Sequence, residues 1–480
     1  MSLQRALLRT TLLAGMATIV SAQSLPPGFT YQTLVAGGSG SLNSATAMAF
    51  LPDGRLLLTE RATGNIRQFR DGALVAAPWA TIAVASGGSY AEQGLLGIAV
   101  DPAFLTNRYI YIFYTDASGT QDHIARLQEL NGVGTNLTVL SPNNSIPSQL
   151  YHNAGAMVFG ADGSLFVATG DALGGSNAQD PVSWLGKTLR FQVPNLTIPA
   201  NNPTPGSPVY SLGHRNHFGL TIHPVTGRLY QTENGGALMD EVNLITPGGN
   251  YGWPLVEGHS ASPNPNFVEP LVWYQPTVAP TGCCFYSGNH YPPQYRNACF
   301  FTDYNMGRIR ALTLNAAGQL VISQTTFDTR PGSGYAIAMG PDGNLWCLTN
   351  PSGGFGANEL GRYVHINEAS PSVHIASVSN KSLGASATVC VHAWNGSIAV
   401  PWLSLSRFAT PLPTAIGNLW VQADAFLPVV GVYNDHRIYL SLEVPNSPAF
   451  VGASIHTQAL VITPQWQPIL TDAAELVLRG

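Results

Sequence analysis

Four stretches of this chain follow one plan: "FLPDGRLLLTE" from Phe50, "FGADGSLFVATGD" from Phe159, "HPVTGRLYQTENG" from His223 and "MGPDGNLWCLTN" from Met339. Each places an Asp-Gly or Thr-Gly turn before an apolar strand, so each supplies a tight hairpin that cannot cover its own apolar face. Two looser relatives, "DPAFLTNRYIYIFYT" and "CFFTDYNMGRIRALTL", fall between them and bring the count to six units over residues 25–365. At about 57 residues per unit, loops included, the period suits a propeller blade. The repeat predicts an all-β fold led by a six-bladed β-propeller. A sandwich also holds many short strands, but it does not require a recurring unit at this spacing. In a propeller the loops of one face converge on the axis, so residues far apart in sequence meet over one pocket.

The repeat stops after "ELGRYVHI". Over residues 368–480, short apolar runs are cut by "SPS", "LPT", "VPNSPAF" and "TPQWQP", which predicts a small C-terminal β-sandwich-like accessory domain. Its Trp394, Trp402, Trp420 and Trp466 can form a platform for a polysaccharide or a cell surface, or pack the domain's core.

At the other end, Arg5 and Arg9 precede an apolar stretch that ends in Val20-Ser21-Ala22, the pattern of a cleaved signal peptide over residues 1–22. A secreted or periplasmic protein follows. No later segment is long and apolar enough for a membrane span. Only 10% of the 480 residues are charged, against 50 Gly and 35 Pro, which disfavours long ion-paired helices. A net charge of -5 gives no reason to expect nucleic acid. Cys283, Cys284, Cys299, Cys347 and Cys390 match neither zinc nor redox spacing. In an exported chain either Cys284 or Cys283 can bridge to Cys299, or all remain buried thiols.

The polar residues outside the strands gather in "YAEQGLLGIAVDP", "YHNAGAMVFGADG", "ATGDALGG", "GHRNHFG", "TENGGALMDEVNLITPGGNYGWP" and "PTVAPTG". "GHRN" is the densest of these, with more donors than a solvated turn needs. Its His214 and His217 lack a carboxylate or cysteine at ligand spacing, which argues against a metal pair. In this order the loops resemble the soluble quinoprotein glucose/sorbosone dehydrogenase family: six-bladed propellers that oxidise aldose sugars with pyrroloquinoline quinone (PQQ) and calcium.

The resemblance implies His152 as general base and Asp171 as the carboxylate that supports it. An imidazole suits that task because it changes protonation near neutral pH, and a carboxylate on one nitrogen fixes its tautomer. It also implies Arg215 on the reactive quinone carbonyl, with Asn216, Asn234 and Thr277 as cofactor contacts and Glu92 where the family has a glutamine near the substrate. Calcium would take the backbone carbonyls of Gly235 and Gly236, and a further calcium Glu241 with the carbonyl of Tyr251. The family holds the cofactor's carboxylates with a lysine and two arginines, and here those positions read Asn305, Ser333 and Tyr335. Arg308 and Arg330, each three residues from such a position, are possible substitutes. Val272 and Gln275 stand where covering aromatics occur, beside Trp273 and Tyr274.

The resemblance implies a sugar dehydrogenase with a small-molecule substrate and an electron acceptor the sequence does not identify. A redox-inactive propeller that binds carbohydrate or protein through the same funnel is the alternative, with a propeller lactonase behind it. If the leader is cleaved, mass spectrometry of exported protein should find a mature chain beginning near Gln23, and an intact Met1 would overturn the reading.

Overall fold

The computed structural model describes residues 25–365 apart from 39–41, 86–90, 261, 289, 330–331 and 354–356. Beyond these it describes 372–377, 386–392, 398–414, 417–421, 425–427, 430–431, 437–443, 453–462, 468–471 and 474–477. The expected signal peptide lies outside the described residues.

Six antiparallel sheets follow one another along the chain. Blade 1 consists of Ala45–Phe50, Leu56–Glu60 and Asn65–Arg70, edged by Ala73–Leu74 and Ala80–Thr81. Blade 2 consists of Leu95–Val100, Tyr109–Thr115, Asp122–Leu130 and Val133–Val139. Blade 3 is built from Ala154–Phe159, Leu165–Thr169, Lys187–Phe191 and Val209–Leu212, and blade 4 from Gly219–Ile222, Leu229–Glu233, Asp240–Ile245 and Val272–Tyr274. Blade 5 comprises Pro280–Phe285, Cys299–Asp303, Arg308–Leu314 and Val321–Thr329. Blade 6 takes Ser333–Met339, Leu345–Asn350 and Ala357–His365, and the N-terminal strand Phe29–Val35 completes it by pairing Phe29 with His365 and Thr33 with Gly361. That pairing ties the two ends of the propeller chain together, so the ring closes without a free edge at the seam.

The turn glycines of the four strong repeats explain why they recur. Gly54, Gly163, Gly227 and Gly343 all lie at φ between 71° and 86°, a region a side chain disfavours. Three of these turns, and the Thr226-Gly227 turn, join the first two strands of their blades. The looser relative in blade 5 is offset: it joins the second and third strands, because the first connection is instead a longer loop with a 3-10 turn at Pro293–Tyr295.

Apolar side chains gather between blades. Leu57, Ile66, Leu95 and Ile112 fill the space between blades 1 and 2; Phe113, Leu165 and Leu189 that between 2 and 3; Phe166, Leu220 and Leu229 that between 3 and 4. Tyr230, Phe285 and Phe301 continue the series, then Tyr286, Phe300 and Leu345, and Leu58, Trp346 and Leu348 close it back to blade 1. Each buried Leu or Phe contributes about 1.5–3 kcal/mol, so each blade is stabilised by its two neighbours.

Past the propeller, Ser372–Ser377, Ser386–His392 and Arg437–Glu443 form one antiparallel sheet, and Ile398–Ser404 with Ser454–Ile462 centre another. Trp402 is buried there, donating Nε1 to the Val421 carbonyl, so it belongs to the core. The side chains of Trp394, Trp420 and Trp466 lie outside the described residues. Thr388 of this unit donates to the Pro52 carbonyl of blade 1 at 2.5 Å.

All five cysteines are buried free thiols. Strand register explains why no bridge forms: Cys284 stands opposite Phe300 and Cys283 opposite Phe301, while Cys299 faces Phe285. Alternation then sends Cys284 into the blade 5–6 cluster and both Cys283 and Cys299 into the blade 4–5 cluster, offset along the strands.

Asp122, buried in blade 2 and accepting from the Thr115 hydroxyl at 2.6 Å, has its carboxyl pushed up to about 7 by burial. A raised folded-state value makes the folded chain hold a proton that the unfolded chain releases. Stability from this group is present below its ordinary value of 3.8 and is lost as pH rises through about 7. Urea midpoints should therefore fall between pH 4 and pH 7 more steeply for the wild type than for Asp122→Asn; parallel curves would refute this.

Candidate active site

A cavity of about 430 Å³ lies on the propeller axis, within the range of small-molecule sites. Met48, Ile98, Met157, Leu220, Cys283 and Ile337, one from the innermost strand of each blade, line it and also line a second cavity of about 310 Å³ further along the axis. They form a partition. Arg61, Glu92, His152, Arg215, Asn216 and Asn234 supply the polar wall of the first cavity.

His152 ends the loop into blade 3, and its Nδ1 lies 2.7 Å from Asp171 Oδ1. Asp171 is only 1% exposed and is held by donation from Leu173 N at 2.9 Å and from Trp253 Nε1 at 2.8 Å. With Nδ1 committed to the carboxylate, Nε2 is the atom left for chemistry. The "TGD" glycine is obligatory: a Cβ on Gly170 would sit 1.9 Å from the His152 carbonyl oxygen. The His152 backbone N–H donates to Glu92 Oε2 at 2.7 Å, and Asn216 Nδ2 reaches the same oxygen at 3.0 Å.

Arg215 joins both sides of this arrangement through its own peptide groups. Its carbonyl accepts from Asp171 N at 2.8 Å, and its N–H donates to Glu233. The guanidinium donates to the Asn234 carbonyl at 3.2 Å and lies 5.3 Å from the Trp253 ring centroid.

Beneath it, the expectation that His214 and His217 lack a carboxylate companion is corrected: Glu233, from the second strand of blade 4, completes a buried group whose ligand-type atoms lie within 4.8 Å of one another. Sequence spacing could not reveal this because the partner arrives from another strand. His214 Nδ1 is 3.0 Å from Glu233 Oε2, and Tyr251 stacks on the His214 ring at 4.7 Å. Burial pushes the Glu233 carboxyl up, but His214, His217 and the Arg215 N–H together hold it below its usual range. Burial beside His214 drives His217 down to about 3, so that ring is neutral.

Of the sequence-expected residues, His152, Arg215, Asn216, Asn234 and Glu92 meet on the cavity wall, with Asp171 directly behind His152. Others fall elsewhere. Gly235 and Gly236 follow Asn234 but pack toward Met239, Glu257 and Trp253. Thr277 stands behind Asn305, which donates to its carbonyl at 3.4 Å, and Ala279 takes the place on the wall. Glu241 accepts from Gly258 N at 2.7 Å and Asn243 at 2.8 Å away from the cavity; burial and then Glu233 raise its carboxyl to about 8.

Asn305 and Tyr335 do face the cavity, whereas Ser333 is not on its wall. Arg308, at the start of its strand, lies outside the cavity lining, and Arg330 is outside the described residues. Trp273 stacks on His259 at 4.3 Å rather than over the cavity, and Tyr274 is buried under Arg310.

Sequence reasoning missed Trp253, near the end of the "GGNYGWP" loop, and Arg61, one residue past the first repeat. A polar residue just past a core strand, as in "LLLTER", was the available cue for Arg61.

The Glucose / Sorbosone dehydrogenase family matches residues 42–356. Quinoprotein glucose dehydrogenase B of Acinetobacter calcoaceticus is 32% identical over 251 residues, 46% of this chain and 52% of that protein. Among solved structures, a Thermus thermophilus oxidoreductase assigned as a glucose dehydrogenase is 34% identical with a TM-score of 0.61, covering 70% of this chain and 100% of that one. The PQQ-bound aldose sugar dehydrogenase of Streptomyces coelicolor is 28% identical with a TM-score of 0.60, covering 71% of this chain and 100% of that one.

The geometry sets two substitutions apart. Gly170→Ala should destabilise by on the order of 1–3 kcal/mol, seen as a lower thermal midpoint, since backbone must shift to admit the methyl. Trp253→Phe should leave the midpoint near wild type while a crystal structure shows Asp171 turned from His152; an unmoved Asp171 would show that the indole N–H does not hold it.

Proposed function

Because the chain belongs to the glucose/sorbosone dehydrogenase family, we propose that it is an exported PQQ- and calcium-dependent dehydrogenase that oxidises an aldose at C1 to the lactone. The observation that carries this reading is the 2.7 Å His152–Asp171 pair on the wall of an axial cavity shared with Arg215 and Asn216. His152 Nε2 takes the proton of the C1 hydroxyl as the C1 hydride departs, and Asp171 stabilises the imidazolium that results. When bound, the quinone supplies the two-electron acceptor for that hydride. Arg215 places positive charge where its reactive carbonyl would lie.

Two features support the fit. Asn216 Oδ1 and Asn234 Oδ1 are buried without protein partners at the cavity wall, a deficit that a ligand's donors would relieve. Burial, and after it the charges of Glu233 and Glu257, raise the Glu241 carboxyl, and a calcium ion on Glu241 and the Tyr251 carbonyl would offset both. The Gly235 and Gly236 carbonyls would serve the cofactor's own calcium, with Thr277 as a lesser contact. The C-terminal unit would add polysaccharide or cell-surface binding.

Asn305 and Tyr335 on the wall favour one second reading, a propeller that has lost redox activity and binds carbohydrate in the same cavity. One experiment separates them. Apo-protein mixed with PQQ and calcium should reduce an artificial dye across part of an aldose panel, and chelation should abolish cofactor binding. His152→Ala should bind the quinone nearly as well while turnover drops by a factor on the order of a hundred or more. Absence of both quinone binding and turnover, with sugar binding retained, would favour the second reading.

A further inference from the structure

The cavity contains a second guanidinium besides that of Arg215. Arg61 follows the second strand of blade 1 and is 2% exposed, yet it lies on the cavity wall. Its Nη1 donates to the Ala91 and Gln93 carbonyls at 2.6 and 2.9 Å, the two residues that bracket Glu92. Gly94 leaves room for it, since a Cβ there would lie 2.1 Å from the Arg61 carbonyl oxygen and 2.8 Å from its Cγ. The head group is therefore fixed before any ligand arrives, which lowers the ordering cost of binding.

Its neighbours are telling. Tyr304 and Tyr335 line the same cavity as Arg61, and burial lowers the Arg61 pKa against the opposing influence of Glu92, Tyr335 and Tyr304. Tyr304 and Tyr335 meet edge to face at 5.8 Å, and both line the cavity. An arginine remains protonated even in such a site. These three side chains come from blades 1, 5 and 6, whereas His152, Arg215 and Asn234 come from the loops into and within blades 3 and 4. The cavity has two polar sets of side chains, joined by Glu92, which accepts from His152 N and Asn216 Nδ2.

We propose that Arg61, with the hydroxyls of Tyr304 and Tyr335, forms an anion-recognition part of the axial cavity and takes a carboxylate of the bound ligand. This rests on the quinone-site reading. Arg61 supplies the positive charge that Asn305, Ser333 and Tyr335 do not, from the wall of the same cavity. Arg308, outside the cavity lining, does not contribute.

Equilibrium dialysis and tryptophan quenching with PQQ in calcium buffer, which need no turnover, test this. Arg61→Gln should weaken PQQ binding on the order of ten- to a hundredfold, the loss of one charge-assisted contact, and Arg61→Lys should recover part of it. Arg308→Gln should match wild type. The trimethyl ester of PQQ, which carries no carboxylate, should bind Arg61→Gln and wild type alike. Wild-type PQQ affinity should also fall more steeply with salt than that of Arg61→Gln. Equal losses for acid and ester would mean that Arg61 only clamps the Glu92 loop, and unchanged PQQ affinity or equal salt slopes would equally overturn the proposal. A folded wild type that binds neither form would defeat the quinone reading itself, a result distinct from an effect confined to Arg61.

Discussion

Every blade of this protein needs a neighbour on each side. A four-stranded antiparallel sheet of this length leaves two apolar faces, and the six inter-blade clusters show each face covered by the next blade. The requirement can be met for all six only if the ring closes, which makes the pairing of Phe29–Val35 with Ala357–His365 the contact on which the rest depends. Closure also fixes the axis, and with it the only place where loops from every blade can meet.

At that axis, precision comes from backbone rather than from side chains alone. The peptide groups of Arg215 bond to Asp171 on one side and Glu233 on the other, so the loop that carries the cation is locked to the carboxylate behind His152 and to the buried His214 network at once. Trp253 reinforces both, bonding Asp171 through its N–H and lying under Arg215 with its ring. Moving any one of these groups would disturb the others, which is the physical content of preorganisation.

The six-unit plan was legible in the sequence because its turn glycines need a backbone conformation that few residues accept, and a sterically forced residue leaves a mark at a fixed spacing. His152, Asp171, Arg215, Asn216, Asn234 and Glu92 were legible only through the order of their loops, since nothing in the local pattern around "YHN" says which blade it will face. Glu233 as companion to His214 and His217 was not legible, because the contact is made across strands and ligand spacing along a chain is blind to it. Arg61 escaped for a different reason: it lies one residue past the strand Leu56–Glu60, where a polar side chain passes for part of the turn that follows. The cysteine question turned on register, which decides which face a side chain takes and which composition cannot supply.

The partition of six apolar side chains across the axis has a bearing on traffic. Thr388 of the C-terminal unit lines the cavity beyond it, so that unit borders the far side of the axis. Among the described residues, the partition separates the chamber that holds His152 from that far cavity, which leaves the loop-lined mouth as its doorway. Under the dehydrogenase reading, sugar, lactone and electron acceptor would all pass through that doorway, and a bound sugar would bar the acceptor until it had left. Kinetics in which the two substrates take turns, each competing with the other when in excess, would then arise from the shape of the room.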